Sequence, residues 1–93
     1  TILIYNANPT NATLTDNSAL SNSTDDQKII ASIPVTASDY TTISSKAYAN
    51  LNGLGRGVKA ASGTSLYASF VTTSTPTFSA TTDIQLIFTF IQD

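Results

Sequence analysis

The last eleven residues, DIQLIFTFIQD, constrain this chain more than any other stretch. In an extended strand Ile84, Leu86, Phe88 and Phe90 fall on one face, while Ile87 and Ile91 share the other with Gln85 and Thr89. A strand wetted on one side alternates apolar with polar, so one that is apolar on both sides needs cover on both. Its β-branched and aromatic residues favour strand over helix. The segment predicts a closing central strand at Asp83–Gln92, with Ile84, Leu86, Phe88 and Phe90 in the core. Ile87 and Ile91 then require a neighbouring subunit, or a further part of the same chain, to cover them.

Few other means of stabilisation are open. At 93 residues the chain is one domain at most. Surface scaling gives a folded area of about 5,000 Å², enough for a modest core. Domains this small often rely on disulfides, metals or assembly. The chain has neither cysteine nor histidine, so disulfides and His/Cys metal sites are excluded. Assembly is the remaining route beside a well-packed monomer.

Six Asp, no Glu and four basic residues (Lys28, Lys46, Arg56, Lys59) leave a net charge of −2 with no basic cluster. This excludes a nucleic-acid partner, which needs a Lys/Arg face to displace counterions, and docking on an anionic membrane. No stretch approaches the ~20 apolar residues of a membrane span. Ser and Thr supply 28 of the 93 residues, so polarity comes from hydroxyls and amides rather than ions.

Thr1–Tyr5 reads as a strand. Asn6–Gln27 is a long connection pinned by Leu14 and Leu20, with Asp16-Asn17 and Asp25-Asp26 suited to Asx-turns. Lys28–Val35 is a second strand with Ile29, Ala31, Ile33 and Val35 on one face, and Pro34 confines it to an edge or to its end. Ala37–Thr42 holds a turn or single helical turn capped by Ser38 or Asp39. Ile43–Leu51 favours strand over helix. NGLGRG (Asn52–Gly57) is a flexible turn, Val58–Ala61 a short strand, Ser62-Gly63 a tight turn, and Thr64–Thr73 a strand with Leu66, Ala68 and Phe70 inward. Six or so short strands separated by turn signals predict an all-β antiparallel sandwich or barrel, jelly-roll-like in kind, spanning 1–93 as one domain or as the C-terminal part of one.

Catalytic chemistry finds little to work with, because the acid–base inventory shrinks to Asp, Lys and Tyr. A Ser45–Lys46 dyad fails because adjacent strand residues point to opposite faces. The carboxylates Asp16, Asp25, Asp26, Asp39, Asp83 and Asp93 all sit in turns or at strand ends, where Asp serves local backbone bonding. Asp16, Asn17, Asp25 and Asp26 offer oxygen ligands for calcium, but without EF-hand spacing or a bidentate Glu. NGLGRG lacks the Lys-Ser/Thr and the helix of a phosphate loop, so its glycines read as sources of positive φ. Asn11-Ala-Thr and Asn22-Ser-Thr match the glycosylation sequon. Tyr5, Tyr40, Tyr48 and Tyr67 are scattered, which suits core or interface positions better than a sugar platform. The expectation is therefore no enzyme, no cofactor and no metal.

Three stretches, LTDNSAL (Leu14–Leu20), IPVTASDY (Ile33–Tyr40) and KAASGTSLYASFVTTSTPTFSATTDIQLIFTFIQD (Lys59–Asp93), carry a resemblance. Together, over roughly two thirds of the chain, they resemble a family of small β-rich head proteins of tailed bacteriophages, similar in role to capsid cement or decoration proteins. The resemblance implies a virion structural protein on the outer capsid surface. Its partners would be the major capsid protein and further copies of itself, as a trimer or dimer. It implies no active site. It also implies a β-rich part preceding TILIYN, so that 1–93 would be a fragment. The apolar faces of Leu66–Val71 and Ile84–Ile91 supply the candidate interface: Leu66, Phe70, Val71, Ile87 and Ile91. A second reading, a receptor- or glycan-binding β-domain of a tail fibre or surface adhesin, fits the Ser/Thr/Asn-rich loops equally well.

Overall fold

Five short strands organise the chain in a computed structural model that describes residues 1–14, 19–74 and 76–91. They are β1 (Ile2–Tyr5), β2 (Ile29–Ile33), β3 (Tyr40–Ile43), β4 (Lys46–Ala49) and β5 (Tyr67–Phe70), with 3-10 turns at Ser23–Lys28 and Ala37–Asp39. All pairing is antiparallel. One sheet runs β2-β1-β5 and the other is the β3–β4 hairpin. The fold is all-β, as the turn-punctuated β-prone segments predict.

The register explains the core. Ile2 lies opposite Ile33 on one side and Phe70 on the other; Ile4 lies between Ala31 and Ala68. Opposed residues of an antiparallel pair share a face, so these six form two apolar rows across the sheet. Ile2, Ile4, Ala31 and Ile33 are buried, with Ile30, Val35, Leu51, Val58 and Phe70 packed against them. A bulge between Ile4 and Tyr5 leaves Ile30 as the extra residue of β2. The bulge turns Ile30 toward the core and takes Ile29 out of the expected Ile29–Ala31–Ile33–Val35 row. Pro34 follows the end of β2, an edge strand, where its missing N–H costs no ladder bond.

Among the described residues no strand from outside this sheet packs on its core. Leu51 and Val58, from the segment joining β4 to β5, cover part of it instead. The expected strand at Val58–Ala61 is not formed; Ala61 donates one backbone bond to the Asn6 carbonyl (2.9 Å). The hairpin is exposed along both strands, so it does not supply the second layer of a sandwich. Its turn, Ser44-Ser45, has both φ angles positive (48° and 67°), the condition for a two-residue connection matched to strand twist. Gly53 and Gly55 in NGLGRG also have positive φ (64° and 60°), as expected for a bend between strands.

The 3-10 turn at Ala37–Asp39 is capped two residues before the expected Ser38 and three before Asp39. Thr36 occupies the N-cap position, and its backbone N–H donates to the Asp39 carboxylate (2.7 Å).

The closing strand is a correction. Ile84–Ile91 forms no strand among the described residues, and none of its apolar side chains is in the buried core. A strand needs a free backbone edge as well as a side-chain pattern. Phe88 and Phe90 lie beside Ile4 and Ala68, side chains of the sheet's core face, rather than extending the ladder at its edge. β5 is likewise shorter than the expected Thr64–Thr73, and Ala68, expected inward, is exposed.

Candidate interaction surface

Ala68 sets the geometry of this surface. Its small side chain, opposite Ile4, leaves a gap on the core face, and a cavity of about 120 Å³ lies there between Ile4, Leu66, Tyr67, Ala68, Phe88 and Phe90. Phe88 and Phe90 stack with ring centroids 6.1 Å apart, the spacing of same-face residues in an extended segment. Leu86, Phe88 and Phe90 remain partly exposed while Ile84 is half-buried. Phe88 and Phe90 thus lie beside the sheet, but the even-numbered face does not fill the core as the pattern predicts. On the odd-numbered face Ile87 is 88% exposed and Ile91 97%.

The five candidate interface residues therefore divide. Ile87 and Ile91 project into solvent. Leu66 is half-buried on the rim of the Phe88–Phe90 cavity. Phe70 packs on the core. Phe70 and Val71 line a separate groove of about 200 Å³ with Thr1, Val35 and Thr72–Ser74. Val71 is pinned there: its N–H donates to the Thr1 carbonyl (2.8 Å), and its carbonyl accepts from the Thr1 ammonium (2.9 Å).

The turn before the apolar segment is fixed by Asp83. Its carboxylate accepts from the Ser79 N–H (2.7 Å), the Ala80 N–H (3.1 Å) and the Ser79 hydroxyl (3.2 Å). Bonding from the Ser79 and Ala80 amides holds the Asp83 carboxyl below the usual carboxylate range.

A polar knot at the other end of the sheet was not evident from residue patterns. Asp25 is fully buried and pairs with Lys28 (Nζ–Oδ1 2.5 Å). Its second oxygen accepts from the Asn11 N–H (2.6 Å), and Lys28 also donates to the Asn8 carbonyl (2.8 Å). Lys28 first, and the Asn11 and Ala12 amides after it, hold the Asp25 carboxyl below its ordinary value against the opposing effect of burial. Tyr5, fully buried, donates its hydroxyl to Asn22 Oδ1 (2.9 Å) and shares a bond with Ser69 Oγ (3.1 Å). These contacts fasten the long loop 6–28 to β1 and β5. The i,i+3 spacing of Asp25 and Lys28 is the one signal for the pair that the sequence carries.

Other candidates find no convergence. Among the described residues no group of three or more carboxylates gathers around one point. Asp16 and Asn17 of the calcium reading lie outside the described residues, and Asp25 is engaged by Lys28. Ser45 sits in the hairpin turn and Lys46 opens β4. Tyr40 opposes Ala49 and Tyr48 opposes Thr41, which puts the two tyrosines on opposite faces of the hairpin. Among the described residues no helix is long and apolar enough to cross a membrane.

No protein-family model matches the chain, and no curated protein or solved structure is significantly similar to it.

Proposed function

We propose that this chain is a virion structural protein, a cement or decoration protein that binds the assembled capsid of a tailed bacteriophage through its C-terminal apolar segment. The observation that carries the reading is the set of large apolar side chains left exposed, Ile87 and Ile91 foremost, on a chain whose total surface is large for its mass. The chain exposes 7,253 Å², against about 5,100 Å² for a compact monomer of its mass. Ile87, Ile91, Phe90, Ile43 and Tyr48 are among its most exposed large side chains. A surface of this kind marks an interface.

Mechanism follows from area and symmetry rather than from chemistry. A module that binds only the assembled lattice stabilises it by mass action. Repeated engagement at symmetry-related sites adds avidity, so each contact can be small. Low charge suits such a surface, since little ionic hydration is lost on contact. The reading includes no catalysis and no cofactor. The glycan-binding alternative has less support, because Tyr40 and Tyr48 do not share a face. The test is co-sedimentation of purified chain with mature capsids, alongside a glycan array. Saturable capsid binding with a blank array supports the proposal; saturable sugar binding with no capsid binding overturns it.

A further inference from the structure

The segment joining β4 to β5 carries Asn52-Gly53, the one place in the chain where asparagine precedes glycine. Both residues are exposed, and a Cβ at Gly53 would meet nothing within 4 Å. Among the described residues neither the Asn52 carboxamide nor the Gly53 N–H makes a hydrogen bond. We infer that Asn52-Gly53 is a self-modification site: the Asn52 side chain cyclises onto the Gly53 amide, and water opens the ring to aspartate and isoaspartate.

The chemistry needs only solvent. Hydroxide takes the proton of the Gly53 amide, and the nitrogen bonds to Asn52 Cγ. The Cγ–Nδ2 bond breaks, and ammonia leaves with a proton from water. Water then adds to one carbonyl of the cyclic imide. Breaking the new Cγ–N bond gives aspartate; breaking the original peptide bond gives isoaspartate, whose main chain runs through Cβ and Cγ. Either way a neutral amide becomes a carboxylate, adding one negative charge to a chain of net charge −2.

Asn52 is singled out because the nitrogen that attacks belongs to the next residue. Glycine has no Cβ to obstruct the approach, and its backbone turns freely. Asn6, Asn11, Asn17, Asn22 and Asn50 each precede a residue that carries a Cβ, and Asn8 precedes Pro9, which has no N–H to give up. Two of these side chains are also held: Asn11 Nδ2 donates to Thr24 Oγ1 (3.3 Å), and Asn22 Oδ1 accepts from the Tyr5 hydroxyl (2.9 Å). The fold tolerates the product. Leu51 and Val58 pack against the core on either side of the site. Gly53, Gly55 and Gly57 lie between those anchors and take up the extra main-chain carbon of isoaspartate. The inference does not rest on the capsid reading, since it concerns the isolated chain.

The test is timed incubation of the purified chain in warm, mildly alkaline buffer, read by isoelectric focusing and by peptide mass mapping. A parallel sample is held in denaturant, and Asn52→Gln serves as the variant, since its longer side chain closes a larger ring far more slowly. The expected result is a shift of the folded chain to a form with one more negative charge, at a rate that rises in proportion to hydroxide. Mapping is expected to place the replacement of NH by O on Asn52 ahead of every other asparagine, with aspartyl and isoaspartyl peptides both present. Asn52→Gln is expected to lose this acidic form. Conversion at Asn52 in denaturant but not in the folded chain overturns the inference, as does no conversion in either state. Earlier conversion at another asparagine, or an undiminished acidic form in Asn52→Gln, overturns it as well.

Discussion

Asp25 shows how a single side chain ties a long polar loop to a small sheet. With no solvent contact, its carboxylate depends on Lys28 and on the Asn11 N–H. Asp25→Asn leaves the Lys28 ammonium without its counter-charge and lowers the melting temperature, with the loss concentrated in loop 6–28 by hydrogen exchange. Because the folded-state pKa of Asp25 is depressed, its contribution is fully present above the unfolded value of 3.8 and is lost as pH falls through the lower folded value. Asp83 has the same sign. Stability measured by denaturant titration is thus expected to be flat near neutrality and to fall below about pH 4, with a smaller fall in Asp25→Asn. Tyr5→Phe strands the Asn22 and Ser69 side-chain oxygens and should cost about 1–2 kcal/mol in the same titration.

At the scale of elements, what was legible in the sequence depended on whether a segment's own residues decide its structure. β1 is a short apolar run and β2 carries apolar residues at every second position, each bounded by turn residues, and both appear, with the core residues Ala31 and Ile33 where the period places them. The turn glycines and the edge position of the Pro34 strand follow from local backbone constraints. The bulge at Ile30 was not legible, because register depends on the partner strand. Nor was the fate of Ile84–Ile91, whose pattern specifies a strand but cannot specify the edge that pairs with it. Ser44-Ser45 is a further case: a serine pair does not signal a turn with two positive φ angles, yet the hairpin requires one. Replacing the pair with Asn-Gly should relieve that strain and stabilise the β3–β4 hairpin by about 1 kcal/mol, read as slower amide exchange in Tyr40–Ala49. If exchange there is unchanged, the turn is not the limiting element of the hairpin.

The whole molecule is more open than a self-sufficient domain. Its radius of gyration is 14.3 Å, against about 12 Å for a compact chain of this length, and among the described residues its buried aliphatic cluster is Ile2, Ile4, Ala31 and Ile33 on one sheet face. An arrangement of this kind gains stability from whatever covers the Phe88–Phe90 face and the isoleucines beyond it. Ile87→Asp separates folding from assembly, because a side chain already 88% exposed contributes little to the free chain. Its melting free energy should change by less than about 0.5 kcal/mol. Under the proposed function, the most direct measurement is co-sedimentation of the unmodified chain and Ile87→Asp with mature capsids of a tailed bacteriophage. The expected result is saturable binding of the unmodified chain and none of the folded Ile87→Asp variant. Equal binding by the two proteins, or binding by neither, would contradict an assembly role for the C-terminal segment.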